Sequence, residues 1–470
     1  MDYKKAHFIG IAGKGMSAVA LLMREAGVTI TGSDEGFYAP VSDYLAKANI
    51  DFFNGYKKEN IPDDADVVVI GKNAKLTKES NEEVAAAFAS GKLIRSFPDI
   101  LEEMTKGDDT IVVAGSYGKS TSTALLSWCL LESHKDPSYF IGEITKGLDA
   151  HAHLGGSNLF VLEGDEYPSA NWDYRSKFLH YNPKNVLLTS ATHDHINVFP
   201  THEEYLSPFR QLLAILPEDG LLVVNATEPH ALALSTDYAG RTVTYGLQDA
   251  EWYPENIVYG MPTTFDLMHS GGKVVTLSTQ LLGAHNIENI VGISAMLLEK
   301  NLLTPNELAD SVKTFEGVKR RMEYLSPHSS VAVFEGFGSS YEKAKSAMAA
   351  MKLHFPTQRL VVVFEPHTFS WRNRQALPQY DDVFLGADKV YIYEPAVQGA
   401  NTHAQVSQDE IVARVAATGL NTEAIGGGPG AVKVIGDGLE QNDAVLLLTS
   451  GDLGGLIQSL PKFVTEKYPG

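Results

Sequence analysis

Short β-branched runs alternate with glycine turns and amphipathic stretches along the whole chain, the pattern of parallel α/β sheets. His7-Phe8-Ile9 enters the turn Gly10-Ile11-Ala12-Gly13-Lys14-Gly15, a helical pattern follows to Arg24, and Gly27 stops it. Val28–Ser33 is the next strand, closed by Asp34, so the opening reads as a βαβ unit with an acid ending its second strand. Asp66–Gly71 predicts a further strand, then the Asn73-Ala74 loop and a helix from Glu79 to Ser90. A second series comprises Thr110–Ala114, Asn158–Leu162, Val186–His195, Leu221–Asn225 and Thr242–Tyr245, with a helix opening at Gly283–Asn289. From about Tyr324 the pattern restarts, with strands expected at Val331–Phe334, Leu360–Phe364, Lys389–Tyr393, Ala431–Ile435 and Ala444–Thr449 and a helix at Tyr341–Leu353. Three α/β domains are expected, at 1–107, 108–322 and 323–470.

Composition narrows the classes. At 470 residues, 44% hydrophobic and 20% charged, the chain suits a multidomain globular protein. A formal charge of −20 argues against a nucleic-acid binder and against an anionic-membrane binder, since either needs a basic face. The single cysteine, Cys129, excludes an internal disulfide and sits in an apolar run, as a buried thiol would. No apolar stretch approaches the ~20 residues of a membrane span, and the first residues lead into a strand without a signal-peptide core. A cytoplasmic protein without membrane insertion is the expectation.

The chemistry gathers after the second series of strands begins. Thr110–Ala114 feeds Gly115-Ser116-Tyr117-Gly118-Lys119-Ser120-Thr121 and then a helical run. Strand, glycine turn and helix aim backbone N–H groups at one point, which suits phosphate. Lys119 would place its charge on the outer phosphates and Ser120 a hydroxyl on magnesium. The loop is the compact Gly-x-x-Gly-Lys-Ser, because Val113 stands where the longer phosphate loop has its first glycine. Glu163-Gly164-Asp165-Glu166 and Thr192-His193-Asp194-His195 end two more apolar strands. Ligands of open α/β sheets lie beyond such ends, so Ser120, Glu163 and His195 form a candidate sparse magnesium site. Asn286 and Asn289 share a helical face and would either read a purine edge or cap the helix. Lys319-Arg320-Arg321 is either a solvated charge run or a clamp on a polyphosphate. The turn Gly10–Ser17, spaced Gly-x-x-Gly-x-Gly, suits a diphosphate more than it suits NAD.

With these blocks in order, the chain resembles the Mur ligases, the ATP-dependent amide ligases of peptidoglycan metabolism. The blocks are Gly10–Ser17, Thr31–Asp34, Gly115–Thr121, Glu163–Tyr167, Asp194–His195, Gly283–Asn289 and Lys319–Glu323, and they span nearly the whole chain. The resemblance implies a Rossmann-like first domain for a UDP-sugar, a central P-loop ATPase-like domain and a Rossmann-like third domain that closes and brings the acceptor. It implies UDP-sugar contacts from Gly10, Ala12, Gly13, Lys14, Gly15, Met16, Ser17, Ser33, Asp34 and Asn73. ATP would meet Gly115, Ser116, Tyr117, Gly118, Lys119, Ser120, Thr121, Asn286, Asn289 and Arg321, with Mg2+ on Ser120, Glu163 and His195. Lys119, Glu163, His195 and Arg321 would be the catalytic set, and Arg372 and Arg374 would meet the carboxylates of the acceptor.

Within the family, the segment Glu163–Tyr181 is most similar to ligases that join UDP-N-acetylmuramate to L-alanyl-γ-D-glutamyl-meso-diaminopimelate. The L-alanine-adding ligases come next, and a non-catalytic regulatory relative that keeps its ligands is a third reading. Two departures bear on this. Tyr117 stands where the family has histidine, and Phe334–Tyr341 replaces an Asp-Asp-aromatic block, leaving Glu335 to stand in for an aspartate. A folylpolyglutamate synthetase is disfavoured, because those enzymes begin at the ATP domain.

Overall fold

The computed structural model describes residues 2–195, 198–395 and 405–470. Its strands form three sheets. The first comprises β1 (Lys5–Ile9), β2 (Thr29–Asp34), β3 (Asp51–Asn54), β4 (Val67–Ile70) and β5 (Leu93–Arg95), in the order β3-β2-β1-β4-β5 and all parallel. Chain order reverses beside β1, and the glycine turn leaves the carboxyl end of that strand, where such sheets bind ligands. The helix after the turn, Lys14–Glu25, buries Met16 to Met23 against the sheet.

The second sheet comprises β6 (Asp109–Ala114), β7 (Ser138–Phe140), β8 (Ala152–His153), β9 (Leu159–Gly164), β10 (Asn185–Leu188), β11 (Leu221–Asn225), β12 (Arg241–Tyr245), β13 (Trp252–Val258), β14 (Thr263–His269) and β15 (Gly272–Thr279). Its order is β15-β14-β13-β12-β11-β10-β6-β9-β7-β8. The strand β6 lies between β9 and β10, parallel to both, with Ala114 opposite Gly164 and Leu188. Ile111 to Ala114 are fully buried, which is why this strand reads as a continuous apolar run.

The third sheet comprises β16 (Arg321–Tyr324), β17 (Ala332–Phe337), β18 (Leu360–Phe364), β19 (Lys389–Tyr393), β20 (Asn421–Ile425) and β21 (Ala444–Thr449). The order is β16-β17-β21-β18-β19-β20, parallel except for β16 at one edge. Apolar clusters cover its two faces, one around Trp371 and Phe364, the other around Val363 and Leu460.

Two compact units result. One is Met1–Ile257, Thr264–Thr279 and Ile287–Glu316; the other is Val258–Thr263, Gln280–Asn286 and Gly317–Gly470. In the first unit one continuous apolar cluster runs from Phe8 and Val67 of the first sheet to Val112 and Phe160 of the second. Beneath the first sheet the carboxylate of Glu83 is fully buried yet saturated. It meets His7 Nε2 at 2.7 Å and accepts from Ser33 Oγ at 2.8 Å, Asn60 Nδ2 at 3.0 Å and the Lys57 amide at 2.9 Å.

Three elements differ from expectation. Ala431–Ile435 lies inside the helix Pro429–Asp437, because Gly428 at φ 78 and Pro429 at the first helical position start a helix there. The strand in that region is the polar β20, of which only Ile425 is buried. The run expected to continue to His195 leaves the sheet at Leu188, because Thr189 and Ser190 turn their hydroxyls to the neighbouring loop: Thr189 Oγ1 donates to Ala114 O and Ser190 Oγ accepts from the Tyr117 amide. The helix expected from Glu79 begins at Glu82, where Asn81 caps it. Among the described residues, no helix is long and apolar enough to cross a membrane.

Candidate active site

The loop after β6 is shaped by two glycines at positive φ, where any side chain would be strained. Gly115 has φ +143 and a side chain there would strike Thr189 Oγ1 and the Ser190 backbone; Gly118 has φ +81 and faces Asn289 Oδ1. Gly118 then starts the helix Lys119–Glu132, whose first turn carries Lys119, Ser120 and Thr121. Three parallel strand ends meet here: β6 at the loop, β9 at Glu163 and β10 at Thr189.

Lys119 Nζ is bound by the Gly115 carbonyl and by Glu166 Oε2 at 2.9 Å. Burial would lower the lysine's pKa, but Glu166, with Asp165 behind it, overrides burial and holds it above the ordinary value. Glu166 is fully buried, and its second oxygen accepts from Tyr205 OH at 3.1 Å. Tyr205 OH also lies 2.7 Å from Ser116 Oγ, so one buried phenol ties the glycine loop to the acid that holds the lysine. Burial, and next the negative charge of Glu166, push that phenol far up. Asp165 points elsewhere: Lys177 Nζ lies 2.5 Å from its Oδ2. Against the effect of burial, the Lys177 charge holds this carboxyl down at about 2.

Ser120 Oγ donates to Glu163 Oε1 at 2.7 Å, and the Gly142 amide donates to Oε2 at 2.7 Å. Burial raises the Glu163 carboxyl above the ordinary range, with Ser120 and Gly142 opposing. A hydroxyl and a carboxylate side by side beside a phosphate loop are the oxygen donors that a hard divalent cation takes, so this pair fits magnesium. His195 stands differently. It hydrogen-bonds Tyr167 OH through Nδ1 at 3.0 Å, and its Nε2 lies 3.6 Å from Glu166 Oε1. It therefore joins the Lys119–Glu166 network, while Ser120 and Glu163 pair with one another. Among the described residues, the one set of three His, Asp or Glu ligand atoms mutually within 4.8 Å is Asp99, Glu102 and His180, at the helix Phe97–Met104.

In the first domain Asp34 orders the glycine turn. Its Oδ2 accepts from the Ala12 amide at 2.9 Å, its Oδ1 from Tyr56 OH at 3.1 Å, and Gly10 N bonds Ser33 O. Gly13 then opens the helix at Lys14, and Lys14 Nζ pairs with Glu143 at 2.6 Å. Gly15 packs against the Phe97 ring. Met16 and Ser17 are buried, Ser17 Oγ donating to Gly13 O. Ser33 turns its hydroxyl to buried Glu83, so only its backbone serves the turn. Asn73 lies on an exposed loop whose carbonyl accepts from Asn171.

Asn286 and Asn289 are both buried; Asn286 Nδ2 donates to Leu282 O at 2.8 Å. In the second unit Arg321 lies over the Phe337 ring at 4.6 Å. Its neighbour Arg320 donates to Glu335 Oε1 at 2.6 Å and to the Gly451 carbonyl. Glu335, raised by burial, is thereby paired. Arg372 is buried with Nε toward Thr368 O, and Arg374 pairs with Glu410 at 2.8 Å. Glu166 and Tyr205 were not in the expected set, and Arg320 was named there only as part of the charge run 319–321. Glu166 was visible among the three carboxylates after β9, but nothing local to the sequence marks it as the partner of Lys119.

Comparison with known proteins agrees with this architecture. Residues 5–108 match the Mur ligase family catalytic domain, and residues 113–297 match the Mur ligase middle domain. A UDP-N-acetylmuramate–L-alanine ligase of Arthrobacter sp. (strain FB24) is 31% identical over 395 residues, covering 83% of this chain and 81% of its own. The UDP-N-acetylmuramate–L-alanyl-γ-D-glutamyl-meso-2,6-diaminoheptandioate ligase of Escherichia coli K12 is 28% identical over 400 residues, covering 83% and 85%. The crystal structure of a UDP-N-acetylmuramate–alanine ligase from Thermotoga maritima superposes with a TM-score of 0.79 at 20% identity, covering 98% and 99%. Two family domains matched in order, a relative at 31% identity and a fold shared end to end have one explanation: the chain belongs to the Mur ligase family.

Proposed function

We propose that this protein is an ATP-dependent amide ligase that joins the carboxylate of UDP-N-acetylmuramate to the amine of a peptide of the L-alanyl-γ-D-glutamyl-meso-diaminopimelate kind. Three domains are proposed, 1–107 for the UDP-sugar, 108–322 for ATP and 323–470 for the acceptor, the last boundary falling within β16. The observation that carries it is the meeting of Lys119, Ser120, Glu163 and Glu166 at the adjoining ends of β6 and β9.

The chemistry follows from charge. A carboxylate oxygen of the muramoyl group attacks the γ-phosphorus of ATP, ADP leaves, and an acyl phosphate forms. The acceptor amine then attacks the acyl carbon, loses a proton, and phosphate leaves through a tetrahedral state. Negative charge builds on the transferring phosphoryl oxygens, and Lys119 supplies a fixed positive charge there. Glu166 keeps that lysine charged and in place, and Tyr205 keeps Glu166 tied to the loop. The amides of the Gly115–Lys119 loop and the helix start cradle the remaining phosphates. Magnesium held by Ser120 and Glu163 would add positive charge on the phosphate oxygens. Asn289, against Gly118, and Asn286 are the proposed adenine contacts.

A second reading has L-alanine as the acceptor. It is favoured by the engagement of both candidate acceptor arginines, Arg374 by Glu410 and Arg372 within its own helix. The first prediction separates the two. With UDP-N-acetylmuramate and ATP, ADP release should be seen with the tripeptide and not with L-alanine. Release with alanine alone would assign the alanine-adding reaction, and release with neither would favour a regulatory relative.

A further inference from the structure

Away from the phosphate loop, one buried imidazole is ringed by acids. His180 closes the short turn Lys177–His180, and its side chain is wholly buried. On one side of the ring, Nδ1 lies 2.8 Å from Glu102 Oε2 and 3.4 Å from Asp99 Oδ1. Those two acids stand three apart on the helix Phe97–Met104, which puts them on one face. Asp99 commits its other oxygen, Oδ2, to the Ser96 amide and hydroxyl at the helix start, so Oδ1 is the one turned to the ring. On the far side Nε2 lies 3.4 Å from Asp173 Oδ2, yet it has no hydrogen-bond partner among the described residues. Asp173 is fixed there by Arg175, whose Nη2 donates to the same oxygen at 2.7 Å.

A neutral imidazole does not suit this setting. It carries one hydrogen, so in either tautomer a bare lone pair faces a carboxylate away from water. The second nitrogen needs something positive, a proton or a metal ion, and charge and spacing favour the metal. Three carboxylates against one guanidinium leave two negative charges around the ring, which a divalent ion neutralises. Two zinc bonds of ~2.0–2.1 Å at a tetrahedral angle set their ligand atoms roughly 3.3 Å apart. The distances from Nδ1 to its two oxygens, 2.8 and 3.4 Å, bracket that spacing, and the three atoms lie within 4.8 Å of one another. With Nδ1 on a metal, the ring hydrogen belongs on Nε2, facing Asp173, which is the carboxylate–histidine–metal order that orients such ligands.

We propose that Asp99, Glu102 and His180 hold a zinc ion, with water as the fourth ligand and Asp173 behind the imidazole. An imidazole nitrogen beside two carboxylates suits zinc better than magnesium, which keeps to oxygen. The site shares no residue with the Ser120–Glu163 pair, so its role is structural. It ties the helix Phe97–Met104 to the turn Lys177–His180, and Phe97 at the start of that helix packs against Gly15 of the first glycine turn.

The test is calorimetric titration of the chelator-treated, full-length chain with Zn2+, in excess Mg2+ so that the phosphate-loop pair is already supplied. One equivalent of Zn2+ should bind. Glu102→Gln alters a half-exposed side chain and should weaken that binding by at least about tenfold. Asp173→Asn changes no metal ligand but should still weaken it about 10–100-fold, as loss of a ligating histidine's outer partner does. Zn2+ should also raise the unfolding temperature of wild type and not that of Glu102→Gln. Should the variants fold poorly, X-ray absorption at the zinc edge of the wild-type complex carries the test, and it should show a single imidazole among ligands at ~2.0–2.1 Å. Two or more imidazoles would put the ion at another histidine cluster and overturn the site. Affinity unchanged in either variant, or no bound equivalent at all, would overturn it too, leaving His180 as a buried imidazolium among its acids.

Discussion

Lys119→Ala should abolish ADP formation in a chain that still binds the uridine nucleotide. The side chain is a cation held directly at the phosphate loop by Gly115 O and Glu166. Removing an electrostatic contact that strengthens in the transition state costs roughly 10²–10³ in rate. The sequence alone would treat this lysine as an exposed loop residue of little consequence for stability. The structure revises that, because only 14% of its side chain is exposed and its partner Glu166 is fully buried. Deleting the lysine leaves a buried carboxylate without its cation, which costs about 3–5 kcal/mol when nothing compensates. A second variant separates the two effects. Lys119→Ala combined with Glu166→Gln removes the stranded charge, so thermal unfolding should recover toward wild type while ADP release stays absent. Turnover near wild type in either variant would remove the phosphate loop from the mechanism.

Glu163→Gln should shift the magnesium dependence of turnover while leaving UDP-sugar binding unchanged. Glutamine is close in shape: its oxygen can still accept from the Gly142 amide while its NH2 donates to the Ser120 hydroxyl, so the change is chiefly one of charge. A carboxylate ligand of a hard cation contributes through that charge, and even its outer hydrogen-bond partners are worth about 10–100-fold in metal affinity. The concentration of Mg2+ giving half-maximal rate should therefore rise by at least about tenfold. The position of His195 predicts a different signature. It reaches Glu166 and Tyr167, so His195→Ala should lower the rate at saturating Mg2+ more than it shifts the Mg2+ midpoint. The pair is checked by Mg2+ titration of ADP release beside calorimetric UDP binding. An unchanged midpoint for Glu163→Gln would take that residue out of the metal site.

Much of this arrangement could be read from residue order, for a physical reason. Parallel strands buried on both faces must be largely apolar, so the residues that break the run at their ends stand out, as Gly115 after β6 and Glu163 at the end of β9 do. Pairing across the fold is another matter. Glu163, Asp165 and Glu166 lie within four positions, yet one bonds Ser120, one Lys177 and one Lys119. That division depends partly on Tyr205, 39 residues beyond Glu166, and no local pattern encodes it. The run Ala431–Ile435 fits a strand or a helix equally, and the backbone at Gly428 and Pro429 decides. The polar strand β20 offers no apolar alternation to find, because it is an edge with one buried residue.

The chain's one thiol has a practical use. Cys129 lies on the helix that begins at Lys119, and it is fully buried. Burial drives its pKa far up, so almost none of it is thiolate at neutral pH, and alkylating reagents act on exposed thiolate. While the helix is docked, a maleimide has nothing to attack. Each labelling event therefore dates one opening of the segment that presents Lys119, and the clock is already installed, with no second cysteine to remove.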